Sequence, residues 1–297
     1  MIDVQNLTKR YGTHLAVDDV SFRCEPGTIT GFLGPNGAGK STTLRMLMGL
    51  TPPTSGRATI SGVRFVDLPN PGRIVGVMLD ASAQHVGRSG LEVLRLSAQL
   101  LDVPKARAEE VLESVGLHGA GSRLVGNYSL GMRQRLGIAN ALLGDPEILV
   151  LDEPANGMDP EGIRWMRDLL QDFAARGGTV LLSSHLLGEV QATVDRLAVI
   201  GRGRLLADDS LEALLQGEGS IVRSTDQAAL AASLLAAGYA VEPTEDGALQ
   251  VGATPEDVGR AALVARTVLL ELREGGAGVE DLYFRLTTAP AEELSNA

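Results

Sequence analysis

Cysteine is nearly absent, Cys24 being the single one in 297 residues. A lone thiol cannot close an intrachain disulfide, so the fold has no need of an oxidising compartment, and a reducing cytosol suits it. Cys24 itself reads as a small buried hydrophobe. Long apolar runs are missing too. No stretch reaches the roughly 18 residues of a membrane-spanning helix, and no signal-peptide pattern precedes the first strand-like run, which predicts a polypeptide soluble by itself. Positive charge is scarce: 26 Lys and Arg face 37 Asp and Glu, a net charge of −11. That balance argues against gripping a nucleic-acid backbone over a broad basic face. Lysine occurs only at positions 9, 40 and 105, which makes Lys40 conspicuous.

What is present is ordinary for a globular chain, with 44% hydrophobic and 21% charged residues and a mean hydropathy of +0.09. The length allows one large core and a smaller appended domain. Charge divides unevenly: from Glu218 to Ala297 there are 13 Asp and Glu against 5 Arg, leaving the first 217 residues at only −3.

Short apolar strands bounded by Gly, Pro and Asp alternate with helical patterns, which predicts an α/β core. Strands are expected over 2–4, 19–23, 28–33, 58–60 and 74–78, with a helix from Lys40 to about Leu50. The pattern turns helical from about 90 to 143. The core then resumes with strand 148–151, a helix near 161–176, and strands 179–183, 196–200 and 205–207, before a short helix over 211–216. After Gly217–Gly219 the pattern restarts as strand 221–223, helix 227–237, strands 240–241 and 249–251, helix 255–266, strand 269–273 and a last helix near 279–286. The resulting expectation is a core domain over 1–217 with a helical subdomain at about 82–143, a small α+β domain over 218–288, and a disordered tail over 289–297.

Gly34-Pro35-Asn36-Gly37-Ala38-Gly39-Lys40-Ser41-Thr42 fits the phosphate-binding pattern G-x4-G-K-[ST], with a strand before it and a helix after. Glycines let backbone N–H groups curl around a phosphate without Cβ clashes, and the helix dipole favours the negative charge. Lys40 would reach the β- and γ-phosphates of ATP, and the Ser41 hydroxyl would ligate Mg²⁺. About 110 residues later Ile148-Leu-Val-Leu151 ends in Asp152 and Glu153. Asp152 would hold Mg²⁺ at the end of a buried strand, leaving Glu153 to polarise an attacking water. Ser129, at the head of Leu130-Gly131-Met-Arg-Gln-Arg135, would cap a helix and offer a hydroxyl and free N–H groups to an anion.

Set side by side, these segments resemble the nucleotide-binding subunit of an ABC transporter of the export type, over about Ile2 to Gln216. The resemblance implies the P-loop NTPase ABC-ATPase fold, with an antiparallel β subdomain and a helical signature subdomain. It implies a head-to-tail homodimer in which Ser129 and Gly131 of one subunit cap the γ-phosphate held by Lys40 of the other. Asn156-Gly-Met-Asp159 matches the D-loop at the dimer seam, and His185 matches the switch histidine that contacts the γ-phosphate. Tyr11 falls where an aromatic stacks on adenine, and Val17 where an aliphatic packs beside base and ribose.

Two positions depart from the family pattern. Leu130 stands where the signature usually has its first glycine. Asp80 stands where the Q-loop usually has glutamine; there a carboxylate would ligate Mg²⁺ and add negative charge beside the γ-phosphate. Gln84, four residues on, is an alternative occupant of that role. The resemblance implies an ATP hydrolase at the inner face of the cell membrane. Glu153 would serve as base, Lys40 and His185 would neutralise charge, and separately encoded permease subunits would export a drug, antibiotic or lipid-like substrate. The competing reading is a soluble ABC-type ATPase of repair, translation or cofactor assembly, although only one P-loop occurs and no long coiled coil is present. The ending Val279-Glu-Asp-Leu-Tyr-Phe-Arg-Leu resembles the accessory-domain tail of drug-export ATPases, which implies a regulatory or dimer-stabilising role.

Overall fold

Inward-facing aliphatics and outward-facing polar residues build the first two strands. In the computed structural model β1 (Ile2–Tyr11) and β2 (His14–Cys24) pair antiparallel. Ile2, Val4, Leu7, Val17, Val20, Phe22 and Cys24 are buried between them and the rest of the core. Both strands run well beyond the expected 2–4 and 19–23. Register shifts after Val4 and Leu7 break the strict alternation, and Lys9, Arg10 and Asp18 interrupt the apolar signal. The next strand, β3 (Ile29–Leu33), is buried at every residue. Phe32 on β3 stacks on Phe22 of β2 with centroids 5.1 Å apart, pinning the two layers together. A helix, α1 (Lys40–Leu47), follows. It stops short of the expected Leu50 because Gly49 takes a positive φ of 67°, the usual helix-ending conformation. β4 (Ser55–Ile60) then adds to β1, giving an antiparallel sheet of order β2-β1-β4.

β5 (Val75–Met78) leads into the helices α2 (Gly90–Leu100), α3 (Ala106–Ser114) and α4 (Leu130–Leu142). A capping box opens α2: Ser89 N donates to Glu92 Oε2 at 2.7 Å, and Glu92 N donates back to Ser89 Oγ at 3.3 Å, satisfying donors that the helix leaves free. The chain continues through β6 (Ile148–Asp152), α5 (Pro160–Ala175), β7 (Thr179–Ser184), α6 (Leu187–Thr193), β8 (Arg196–Gly201), β9 (Arg204–Ser210) and α7 (Leu211–Leu215). The large sheet has the order β5-β6-β7-β3-β8-β9. Its strands are parallel except β9, which runs antiparallel to β8. Burial on both faces explains why 148–151 and 179–183 read as unbroken apolar runs. The loops leaving β3, β5, β6 and β7 all emerge at the carboxyl edge of this sheet, where open α/β sheets place their ligands.

The structure describes residues 1–185, 187–215, 219–244, 247–274, 279, 282 and 283. They divide into two units, one built on Met1–Leu211 and the other on Glu212–Leu282. In the second, β10 (Ser220–Ser224), α8 (Gln227–Ala236), β11 (Val241–Pro243), β12 (Leu249–Val251), α9 (Pro255–Ala265) and β13 (Leu269–Glu274) follow in sequence. The antiparallel sheet order β11-β12-β10-β13 is that of a split β-α-β, ferredoxin-like unit. Val222, Leu230, Leu234, Val251 and Val258 form its core. Of the helix expected near 279–286 only positions 279, 282 and 283 are described, and the expected tail over 289–297 lies outside the described residues. Among the described residues no helix is long and apolar enough to cross a membrane.

Cys24 has 0% exposure, and burial pushes its thiol up to about 12. Thiolate is the reactive form. Native protein should therefore stay unlabelled by iodoacetamide at pH 8 and take up one equivalent in guanidinium, as read by mass spectrometry. Native labelling at the denatured rate would contradict this placement.

Candidate active site

At two glycines of the Gly34–Lys40 loop, Gly34 and Gly39, there is no room for a side chain. A Cβ on Gly34 would overlap Ile200 O and lie 2.8 Å from Ile200 Cγ2; one on Gly39 would lie 2.6 Å from Ala16 O. Gly37 and Gly39 also have positive φ values of 82° and 110°, which favour glycine. Gly203 N donates to Ala38 O at 3.0 Å, so the β8–β9 turn backs the loop. Gly39 caps α1 without a side-chain hydrogen bond, and no acidic residue sits in the first turn. The positive end of that helix is left uncompensated, which is the electrostatic setting of an anion site. Pro35, Asn36, Gly37 and Ser41 are exposed around it, and Thr42 is half-buried.

Lys40 is buried, and a buried ammonium requires oxygen partners. Its Nζ donates to Gly34 O at 2.6 Å and to Pro35 O at 3.4 Å, and lies 3.7 Å from Glu153 Oε1. The other oxygen of that carboxylate, Oε2, is 2.7 Å from His185 Nδ1. Three residues expected at the site from distant parts of the sequence thus meet through one carboxylate. Glu153 gets there by leaving the strand conformation: its φ is +51°, a turn that costs a non-glycine residue on the order of 1 kcal/mol.

A residue assigned no role by its sequence pattern holds this turn. Asp152 pairs in register with Ser183 across β6 and β7. The Ser183 hydroxyl donates to Asp152 Oδ1 and accepts from Glu153 N at 3.1 Å. One side chain therefore holds the Asp152 carboxylate and, together with Ser183 O at 3.2 Å from the same N–H, the backbone of Glu153. The available signal was a hydroxyl at the end of an apolar strand next to the one bearing Asp152.

The remaining expected residues lie elsewhere. Tyr11 is half-exposed at the end of β1, with Lys9 Nζ 5.0 Å from its ring centroid. Val17 is a correction. At 0% exposure it belongs to the core beneath Gly39, so it shapes the floor of the loop and offers no surface to a base or ribose. Ser129 caps α4, accepting from Met132 N at 3.2 Å. Gly131 packs on the 156–159 turn, where a Cβ would lie 3.3 Å from Gly157 O. Asp80 is exposed just beyond β5 and lines a cleft of about 660 Å³ with Arg45, Met78, Gln84, Arg88 and Asn140. Gln84 is turned toward the signature helix, donating to Arg133 O at 3.1 Å.

A family model described as ABC transporter matches residues 17–156. The bacitracin transport ATP-binding protein BcrA of Bacillus licheniformis is 44% identical over 211 residues, which is 70% of this chain and 69% of that protein. The chain belongs to the ABC transporter ATP-binding family. The likeness extends through the second unit in the BcrA protein of Enterococcus faecalis, 32% identical over 295 residues and 96% of each chain. A solved ATP-binding subunit of an ABC transporter superposes with a TM-score of 0.67 at 29% identity, covering 72% of this chain and 91% of that one. A second model, described as a domain of unknown function, matches residues 221–280. As an ABC transporter ATP-binding protein the chain binds ATP and hydrolyses it.

Ser183→Ala should leave Asp152 and Glu153 without their shared anchor. ATP turnover should fall about 10-fold, with nucleotide affinity nearly unchanged, as read by phosphate release and by equilibrium binding of a fluorescent ATP analogue.

Proposed function

We propose that this chain is half of an ATP-closed, head-to-tail homodimer that drives export through separately encoded permease subunits at the inner face of the cell membrane. The contact chain Lys40–Glu153–His185 carries the reading. It gathers a phosphate-binding ammonium, a basic carboxylate and an imidazole beside an uncapped helix N-terminus.

On binding ATP, Lys40 exchanges its carbonyl partners for β- and γ-phosphate oxygens, while backbone N–H groups from Asn36 to Thr42 wrap the β-phosphate. Tyr11 stacks on adenine. Glu153 takes the proton of the water whose oxygen attacks the γ-phosphorus in line, as the bond to the ADP oxygen breaks. His185, holding Glu153 Oε2 through Nδ1, keeps the carboxylate aimed. Lys40 and His185 balance the charge that develops on the transferring group. The oxygens of Ser41 and Asp152 suit Mg²⁺, with Asp80 as a further candidate; when bound, the cation supplies neutralisation of the phosphate charge. Exposed Ser129 and half-buried Gly131 form a capped helix N-terminus, which suits them to close on the γ-phosphate held by a second copy.

The cleft lined by Asp80, Gln84 and Arg88 suits a permease segment, because it joins the Asp80 loop to the signature helix. Relatives named for bacitracin transport support export of a drug, antibiotic or lipid-like substrate. The net charge of −11 agrees with a function that involves no nucleic acid. We assign residues 1–217 to the catalytic domain and 218–288 to a regulatory or dimer-stabilising one.

If Glu153 is the base, Glu153→Gln should bind ATP, lose about 10²–10³-fold in hydrolysis, and run as an ATP-trapped dimer in gel filtration. A monomer with full ATPase activity would refute the assignment. Asp80→Gln should shift the Mg²⁺ dependence of hydrolysis or the stimulation by permease; if both stay constant, Asp80 stands outside the site.

A further inference from the structure

We propose that Leu130 is a positioning residue, seated in a notch left by Gly157, which sets the signature loop at a fixed height against the 156–159 turn. This inference rests on the dimer reading. Gly157 has a φ of +72°. A Cβ placed on it would overlap Leu130 Cδ2 and lie 2.6 Å from Leu130 Cγ and 3.1 Å from Leu130 Cβ. The isobutyl group therefore fills the space that any side chain at 157 would occupy. Gly131 closes on the same turn, its would-be Cβ 3.3 Å from Gly157 O and 3.6 Å from Met158 Cα.

Both ends of the turn are tied down. Asn156 N donates to Glu153 O at 3.2 Å and Met158 N to Ala155 O at 3.0 Å, while Asp159 Oδ1 accepts from Gly162 N at 2.9 Å at the head of α5. Farther along α4 the Arg135 guanidinium lies 4.3 Å from the centroid of Trp165 on α5. The signature helix thus touches the 156–165 segment at two levels, and Leu130 makes the upper one.

Leu130 is 51% exposed, so core burial does not account for a large aliphatic here. Its size acts on Gly157. The two positions are complementary: a glycine at 130 would leave the notch empty, and a side chain at 157 would push Leu130, and Ser129 with it, off the turn. Because Ser129 and Gly131 are what one protomer presents to its partner's nucleotide, the contact governs turnover in the dimer rather than ATP binding by a single subunit.

A double-mutant cycle tests this. Gly157→Ala should lower kcat at least about 10-fold, with binding of a fluorescent ATP analogue to the monomer kept within about 2-fold. Adding Leu130→Ala should restore kcat to within about 3-fold of Leu130→Ala alone, because the overlaps with Cγ and Cδ2 are gone, although the 3.1 Å approach of the two Cβ atoms and the strained φ remain. A double variant whose loss equals the product of the two single losses would overturn the proposal, as would a loss carried by ATP affinity. If Gly157→Ala fails to fold by circular dichroism, Leu130→Phe and Leu130→Gly replace it. The proposal expects both to lower kcat with binding retained, and two variants turning over at the wild-type rate would refute it. Wild-type protein that neither dimerises on ATP nor hydrolyses it would sink the dimer reading and this role together, whereas an active wild type with additive variants sinks this role alone.

Discussion

A single carboxylate ties the candidate site of this molecule together. Glu153 reaches Lys40 with one oxygen and His185 with the other. These residues come from the ends of three different strands, so the contact exists only if the large sheet is assembled in the correct order. Lys40 leaves the P-loop after β3, Glu153 immediately follows β6, and His185 follows β7. The order β6-β7-β3 puts those three exits side by side.

The architecture around that contact serves it by exclusion as much as by attraction. Gly34 and Gly39 are pressed against the backbone of Ile200 and Ala16, so the phosphate loop cannot relax into the fold behind it. α1 begins without a side-chain cap or a first-turn acid, leaving its N–H groups directed at whatever occupies the loop. By contrast α2, α4 and α5 are all capped by side chains, Ser89, Ser129 and Asp159. Ser129 does double duty, since its hydroxyl completes a helix and stands on the surface.

Much of this was legible in the sequence because it is encoded locally. Gly34–Thr42 declares itself by spacing, and the strand before it and the helix after it are in place. The β-α-β-β-α-β order of the second unit could likewise be read from alternating strand and helix patterns. Other features depend on partners distant in sequence. β1 and β2 read as fragments because Lys9, Arg10 and Asp18 face away from the core and the bulges break the two-residue period. Val17 was expected beside a nucleotide, yet the pleat of β2 turns it under Gly39. The role of Ser183 is invisible without knowing which residue of β6 lies opposite it. Leu130 looked like a departure from a motif until the bare α-carbon of Gly157 appeared beneath it.

The Ser183 hydrogen bonds link catalysis to the assembly of the sheet. Ser183 and Asp152 are register partners in the parallel pair β6–β7, and side chains alternate between the faces of a strand. A slip of one residue would turn the hydroxyl to the opposite face, removing it from Asp152 and from Glu153 N at one stroke. The apolar runs on either side, Ile148–Leu151 and Val180–Leu182, are so alike that hydrophobic pairing alone discriminates weakly between adjacent registers. The same hydroxyl that readies the site for ATP therefore also proofreads how the two strands are zipped together. A misaligned copy would be a packed but silent enzyme, and catalytic competence becomes a report on the fidelity of folding.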